Sequence, residues 1–139
     1  MVGNSSDKIR DHFEYPRNVR TFDQDAVDVG TGIVGNPFQG DVIKLQIKVN
    51  TGGVIAAAGF KAYGGVPTIA AGSLVTEWLQ GRTLAEAGAI SNGAIAEALS
   101  LPPEQIHCAV LVEAAIQAAI ADYAAKQSVP NSLSSESLE

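Results

Sequence analysis

The stretch that decides the fold is Ile43-Lys-Leu-Gln-Ile-Lys-Val49, in which apolar and polar residues alternate without a break. A period of two is typical of a β-strand that buries one face and exposes the other. Asn50-Thr-Gly-Gly53 follows as a turn, and residues 54–63 predict the returning strand of a hairpin. Other parts of the chain must therefore cover the apolar face of this hairpin.

The segments around the hairpin predict helices. After Pro67 the apolar residues recur at helical spacing up to Gly81, and a long apolar stripe runs from about Pro103 to Lys126. Shorter helices are predicted for residues 5–14, 83–89 and 91–99. An antiparallel hairpin followed by helices indicates an α+β fold, a small antiparallel sheet with helices packed on one face.

Length and charge limit the class of protein. The 139 residues suffice for one domain, which we place at 1–127, and the Ser-rich segment 128–139 is predicted to be a disordered tail ending in a cloning remnant. A net charge of −6 argues against nucleic acid or an anionic membrane as a partner. No uninterrupted apolar run has the length of a membrane span, and the polar residues 1–6 do not look like a secretion signal, so we expect a cytoplasmic protein.

Cys108 is the single cysteine of the chain, which excludes an internal disulfide. The predicted long helix places His107 and Cys108 in its first turn, where the helix dipole lowers the pKa of a thiol. Two interpretations stay open. Cys108 is either a reactive or metal-binding thiol, or a small core residue on the same stripe as Leu111.

Five segments in order along the chain resemble the IscU and NifU N-terminal family of iron–sulfur cluster scaffolds. They are Asp11-His-Phe-Glu-Tyr-Pro-Arg-Asn-Val19, Gly40 to Val49, Ser73 to Trp78, Leu101-Pro-Pro103 with Ile106-His-Cys108, and Ala118 to Tyr123. The resemblance implies a three-stranded antiparallel sheet. It also implies assembly of a [2Fe–2S] cluster on three cysteines near an aspartate and a histidine, with sulfur from a cysteine desulfurase and help from a chaperone pair.

This chain departs from the family at the cluster site. The resemblance carries the aspartate position to Asp41 and the third cysteine, with its histidine, to Cys108 and His107. Gln39 and Gly65 stand at the other two cysteine positions, and neither side chain holds cluster iron well, since soft thiolates are the usual ligands.

The changed loops also bring apolar residues, and we predict an apolar pocket formed by Phe38, Val66 and Pro67.

The remaining donors predict a smaller metal site. Asp41, His107 and Cys108 supply three ligands, which suit a single zinc or iron ion better than a stable [2Fe–2S] cluster on the monomer. Leu101-Pro-Pro103 resembles the family's chaperone-recognition loop, but Glu104 and Gln105 replace its small apolar residue and lysine, which argues against chaperone binding.

The favoured hypothesis is a divergent paralogue in iron–sulfur cluster assembly, non-enzymatic, with impaired scaffolding and with cysteine desulfurase and other assembly proteins as partners. Two alternatives stay open. One is a binding module or regulator that keeps the fold and the partner surface. The other is an enzyme with Cys108 as nucleophile and His107 or Asp41 as acid or base, although helical neighbours point about 100° apart and need not touch.

Overall fold

The computed structural model describes residues 4–36, 38 and 40–137, with side chains from 7 to 127 except 36, 37 and 39. Helix α1 (Asn4–Glu14) precedes three strands, and all other helices follow them. The remaining bounds are β1 (Val29–Asn36), β2 (Asp41–Val49), β3 (Ile55–Tyr63), α2 (Val66–Leu79), α3 (Leu84–Gly88), α4 (Asn92–Leu99), a 3-10 turn (Pro103–Gln105) and α5 (Ile106–Ser137).

The strands form one antiparallel sheet in the order β1-β2-β3. Ile33 lies opposite Lys44, Leu45 lies opposite Phe60, and a register shift occurs at Lys48 and Val49. Helices α2 and α5 cover one face of this sheet, where Ile43 and Leu45 are fully buried. The predicted α+β class and the three-stranded antiparallel sheet are confirmed.

The outer face of β2 differs from the expectation at one residue. Gln46 was expected to be exposed by the alternation, yet it is completely buried. Its amide accepts a hydrogen bond from the Phe22 N–H (2.7 Å) and donates to the Phe22 carbonyl (3.1 Å) and to Thr31 Oγ1 (2.9 Å). The connection between α1 and β1 crosses this face and covers it, so the expectation of exposure was wrong.

Strand β1 has no alternating pattern because two of its glycines face α5. A Cβ on Gly30 would collide with the carbonyl oxygen of Ala119, and one on Gly32 would collide with that of Ala115. The backbone of α5 therefore lies directly against β1, and only glycine allows this approach.

Helix α5 is the central core helix. The stretch Pro103–Gln127 has the length and apolar composition of a membrane span, but Val112, Ala115 and Ile116 are buried against the rest of the domain. The α-helix begins at Ile106, after the 3-10 turn, and its backbone continues to Ser137, beyond the expected end near Lys126. Residues 138–139 lie outside the described residues, and the disorder of 128–139 stays a prediction.

Candidate functional site

Three of the predicted site residues, Asp41, His107 and Cys108, lie close together at one end of the sheet. Strand β2 begins there with Asp41, and β3 ends there at Tyr63. Helices α2 and α5 begin at the same end, which brings Thr68 and His107 close to Asp41. The site is therefore built from a strand end and two helix N-termini.

Asp41 holds the turn that leads into α2. Its Oδ1 accepts hydrogen bonds from the Gly65 N–H (3.1 Å) and the Thr68 hydroxyl (3.2 Å). Gly65 is the N-cap residue of α2 and gives the helix no side-chain cap, so the Asp41 carboxylate places negative charge at this helix N-terminus. Asp41 is partly buried and acts first as a structural residue.

His107 lies between the other two candidate ligands. Its Nε2 is 3.8 Å from Asp41 Oδ2 and 3.6 Å from Cys108 Sγ. The two helical neighbours do contact each other, which their 100° separation did not require. Both contacts use the same ring nitrogen, whereas a nucleophile–base relay places the carboxylate on the other nitrogen of the imidazole. This geometry does not favour an enzyme with Cys108 as nucleophile.

Cys108 is buried, with 3% of its surface exposed. Burial raises the pKa of the thiol, a hydrogen bond with Thr68 lowers it, and the negative charge of Asp41 raises it again. The pKa was expected to be lowered by the helix dipole, but it is raised, first of all because burial removes solvent from the thiolate. At neutral pH the thiol is protonated.

The distances from His107 to the other two donors are compatible with one small ion. Zinc bonds of 2.0–2.3 Å in a tetrahedron give distances of about 3.3–3.8 Å between ligand atoms, and both contacts of His107 fall near this range. Among the described residues, however, no group of three or more His, Cys, Asp or Glu side chains is arranged to hold a metal ion as it stands. The ligand set of Asp41, His107 and Cys108 therefore stays a prediction.

The positions of the two missing cysteines differ in what the structure describes. Gln39 lies outside the described residues. Gly65 has an extended backbone (φ −75°, ψ 168°), and a Cβ built there would meet only Pro67 Cδ, at 3.5 Å. A side chain therefore fits at Gly65, and its glycine is not a steric necessity.

The apolar surface next to the site is made by residues that the sequence analysis did not single out. A groove of about 340 Å³ lies beside Asp41 and His107. Its other walls are Val34 and Gly35 on β1, and Val110, Leu111 and Ala114 on α5. Val110 is 47% exposed, and its place outside the buried stripe of Val112, Ala115 and Ile116 is the signal that could have located the groove.

The residues of the predicted apolar pocket are not among those that line this groove. Phe38 is 98% exposed, Val66 is 39% exposed, and Pro67 is partly buried in the first turn of α2. The pocket of Phe38, Val66 and Pro67 stays a prediction.

The Leu101-Pro-Pro103 segment connects α4 to α5. Leu101 is buried and belongs to the core, and its N–H donates to the Ala96 carbonyl (2.9 Å). Pro102 is partly buried, and the exposed Pro103 begins the 3-10 turn. A role of this segment in partner binding stays a prediction.

His12 lies away from the site and joins α1 to α2. It is 8% exposed, and its Nδ1 is 2.8 Å from Ser73 Oγ and 3.1 Å from an Arg17 guanidinium nitrogen. Ser73 Oγ also accepts the Arg17 backbone N–H (2.9 Å). Burial and the charge of Arg17 lower the pKa of His12, although Glu77 and Asp11 act in the opposite direction.

The sequence is similar to named scaffold proteins from bacteria. It is 57% identical over 122 residues to the iron–sulfur cluster assembly scaffold protein IscU of Haemophilus influenzae, a match that covers 88% of this chain and 97% of the relative. The proteins of the same name from Escherichia coli K12 and Azotobacter vinelandii are also 57% identical over 122 residues, with 95% of each relative covered.

Solved structures share the fold at lower sequence identity. A crystal structure described as a hypothetical protein superposes with a TM-score of 0.67 at 23% identity, covering 86% of this chain and 98% of that one. The N-terminal part of a nitrogen-fixing NifU-like protein from Brucella abortus gives a TM-score of 0.61 at 13% identity, with 83% and 88% covered.

The family described as the NifU-like N-terminal domain matches residues 4–130, almost the entire described chain. Together with the identity to the IscU proteins, this match shows that the chain belongs to the family of NifU-like N-terminal domains.

Proposed function

We propose that this chain is an IscU-type protein of iron–sulfur cluster assembly with a reduced metal site at Asp41, His107 and Cys108 and with impaired scaffolding of a complete cluster. Its support is the 57% identity, over 88% of the chain, to proteins named as iron–sulfur cluster assembly scaffolds. We place it in the cytoplasm, with cysteine desulfurase and other assembly proteins as partners.

The single observation that supports the proposal of impaired scaffolding is the small number of cysteine thiolates. A [2Fe–2S] cluster is held by four protein ligands, most often cysteines, whereas this chain contains one cysteine. Asp41 and His107 raise the set to three. A fourth ligand would have to come from a second subunit, a free thiol or a partner protein.

A single zinc or iron ion demands less of the site. His107 Nε2 and Asp41 Oδ2 belong to partly exposed side chains, and Asp41 Oδ2 is not the oxygen that holds the α2 turn. Cys108 would have to lose its proton, and burial makes this costly. Metal affinity should therefore rise steeply with pH, because binding displaces the thiol proton.

Metal content tests the reduced site. We expect protein purified without chelators, then analysed by mass spectrometry for zinc and iron, to carry metal that is lost in Cys108→Ala. Glu104→Gln removes an exposed charge from the neighbouring 3-10 turn and serves as the matched control, which should keep its metal. Metal-free wild-type protein, or equal metal in Cys108→Ala, would rule out the site.

Reconstitution with iron and sulfide tests the impaired scaffolding. The wild-type protein should form no stable [2Fe–2S] chromophore after desalting, whereas the double variant Gln39→Cys/Gly65→Cys should form one, since a side chain fits at Gly65. Gln39→Ser/Gly65→Ser is the matched control and should behave as the wild type. A wild-type cluster as stable as that of the double cysteine variant would disprove the impairment.

The buried, protonated thiol favours a second candidate, a binding module or regulator that keeps the fold without carrying metal. In that case Cys108→Ser should bind purified cysteine desulfurase as well as the wild type does, by titration calorimetry, while neither protein carries metal. Loss of desulfurase binding in the folded Cys108→Ser protein would count against this candidate. We assign no catalytic role to the site, because the thiol is neither exposed nor ionised.

A further inference from the structure

The outer edge of β1 is partly closed and partly open. The Val29 N–H donates to the Ala26 carbonyl (3.1 Å), and the Thr31 N–H donates to Asp122 Oδ2 (2.8 Å). The N–H groups of Val29 and Thr31 therefore point away from β2. Along an antiparallel strand, the N–H and C=O groups of every second residue point to the same side. The N–H and C=O groups of Ile33 and Gly35 thus also point outward. Within the described part of the chain, these two residues make no hydrogen bond across the outer edge.

A groove runs along this edge between β1 and α5. The 340 Å³ hollow beside Val34 and Val110 is followed by a second hollow of about 480 Å³, lined by Gly32, Ile33 and Ala118 among others. On the strand, the lining residues of the two hollows are consecutive, since Val34 follows Ile33. On the helix, about one turn separates Ala114 from Ala118. We call the pair the β1–α5 groove.

The charges of the β1–α5 groove are concentrated at its ends. Asp41 lies at one end beside His107, and Asp25 and Asp122 lie at the other. Lys126 pairs with Asp122 there, 3.3 Å from its Oδ2, so among the described residues Asp25 is the carboxylate without an ion pair at this end. The middle of the groove is apolar, so the complementary occupant is apolar in its centre and basic at both ends.

A second copy of this chain is a poor occupant. Its own β1 edge would bring the same carboxylates to the same groove, and each copy carries a net charge of −6. An edge pairing between copies would therefore bring acidic groups together at both ends.

We propose that the β1–α5 groove binds an extended peptide segment of a partner protein, apolar in the middle and basic at its ends, which adds a fourth strand beside β1. The backbone groups of Ile33 and Gly35 supply the pairing, and the apolar wall of α5 accepts alternate side chains of the peptide. The β1–α5 groove shares Asp41 and His107 with the proposed metal site, but peptide binding needs neither Cys108 nor a metal ion.

The test uses a fluorescein-labelled peptide, Lys-Val-Thr-Val-Thr-Val-Lys, and the full chain. Fluorescence anisotropy should show saturable binding, and amide chemical shifts should move at Ile33 and Gly35. Two methylated isomers of the peptide serve as controls. One is methylated on the backbone nitrogens of residues two and four, and the other on those of residues three and five. In an extended peptide, the two sets of methyl groups lie on opposite edges. Only one isomer should bind, because only one edge of the peptide pairs with β1.

Substitutions at Ile33 of the protein test the same backbone pairing. Ile33→Pro removes one outward N–H at an edge position that tolerates proline, whereas Ile33→Val keeps it. We expect about tenfold weaker binding for Ile33→Pro and unchanged binding for Ile33→Val. The proposal is overturned if the parent peptide does not bind, if both methylated isomers bind equally, or if sedimentation shows a dimer that Ile33→Pro abolishes.

Discussion

At the scale of single residues, Asp41 combines two tasks on its two carboxylate oxygens. Oδ1 fixes the entry to α2 through Gly65 and Thr68, and Oδ2 faces His107. Because the two oxygens serve different neighbours, an ion bound at Oδ2 would leave the turn intact. Asp41 can therefore stabilise the fold through Oδ1 while Oδ2 offers a hard oxygen donor.

Cys108 provides a prediction about thiol chemistry. Its thiol is buried and its pKa is raised, so a disulfide reagent should react with the native protein far more slowly at pH 7 than with the same protein in guanidinium chloride. The native rate should increase as the pH rises past the range of a free thiol. Equal rates in native and unfolded protein, followed by absorbance, would contradict the buried thiol.

Two adjacent glycines, Gly64 and Gly65, allow a matched comparison of the effect of alanine substitution on the free energy of unfolding. Gly64 has φ +146°, and a Cβ there would collide with Asp41 Oδ1, whereas Gly65 has ordinary extended angles and space around it. Gly64→Ala should lower the free energy of unfolding by about 1–3 kcal/mol, and Gly65→Ala should change it by less than about 0.5 kcal/mol. Urea denaturation measures both. Similar values for the two variants would argue against the described turn.

At the scale of elements, the contact between β1 and α5 determines how the sheet is covered. Gly32 leaves no room for a side chain against the Ala115 carbonyl, and the Ala118 Cβ is also close. The collision partner is helix backbone, which cannot rotate away as a flexible side chain would. Small residues on α5 and glycines on β1 thus form one close interface.

Substitution at this interface should be costly. Gly32→Ala should destabilise the protein by about 1–3 kcal/mol or more, because α5 must move away from the sheet. Gly88→Ala, at the end of α3, is the control, since a Cβ there would meet only Ile120 Cδ1 at 3.7 Å. Thermal unfolding followed by circular dichroism should show a clear drop in Tm for Gly32→Ala alone. A drop of equal size in both variants would contradict this account.

At the scale of the whole molecule, α1 and α2 are joined by a partly buried polar network as well as by the apolar core. His12 on α1, Ser73 and Glu77 on α2 and Arg17 in the following loop connect these elements. Burial, and next the charge of Arg17, lower the pKa of His12, so the folded state prefers the neutral imidazole. Protonation of His12 thereby couples pH to global stability.

The sign follows from proton binding. An unfolded histidine titrates near pH 6.5, so between this value and the lower pKa of folded His12 the unfolded state binds more protons. The stabilisation by neutral His12 is fully present above about pH 6.5. Below about pH 6.5 the free energy of unfolding decreases, until His12 of the folded protein is protonated as well. Urea unfolding from about pH 7 to about pH 5.5 should show this slope. His12→Gln should reduce it, and an unchanged slope in His12→Gln would assign it to other groups.

The elements differed in how well the sequence predicted them. The alternation of Ile43 to Val49 predicted β2, and the helix predicted for residues 83–89 is found as α3, which begins with a capping box of Thr83 and Glu86. Strand β1 has no such local pattern. Its glycines are explained by a helix that lies far away in the sequence, and no propensity rule contains that information.

The sequence by itself determined the fold class, the family and the residues that approach one another at the end of the sheet, because periodicity and collinear motifs are local properties. Only the tertiary structure decided that Cys108 is buried with a raised pKa, that Gln46 lies inside and that the edge of β1 is open at Ile33 and Gly35. Solvation, close backbone contact and unpaired edge groups depend on what other segments cover, and this is a property of the folded chain alone.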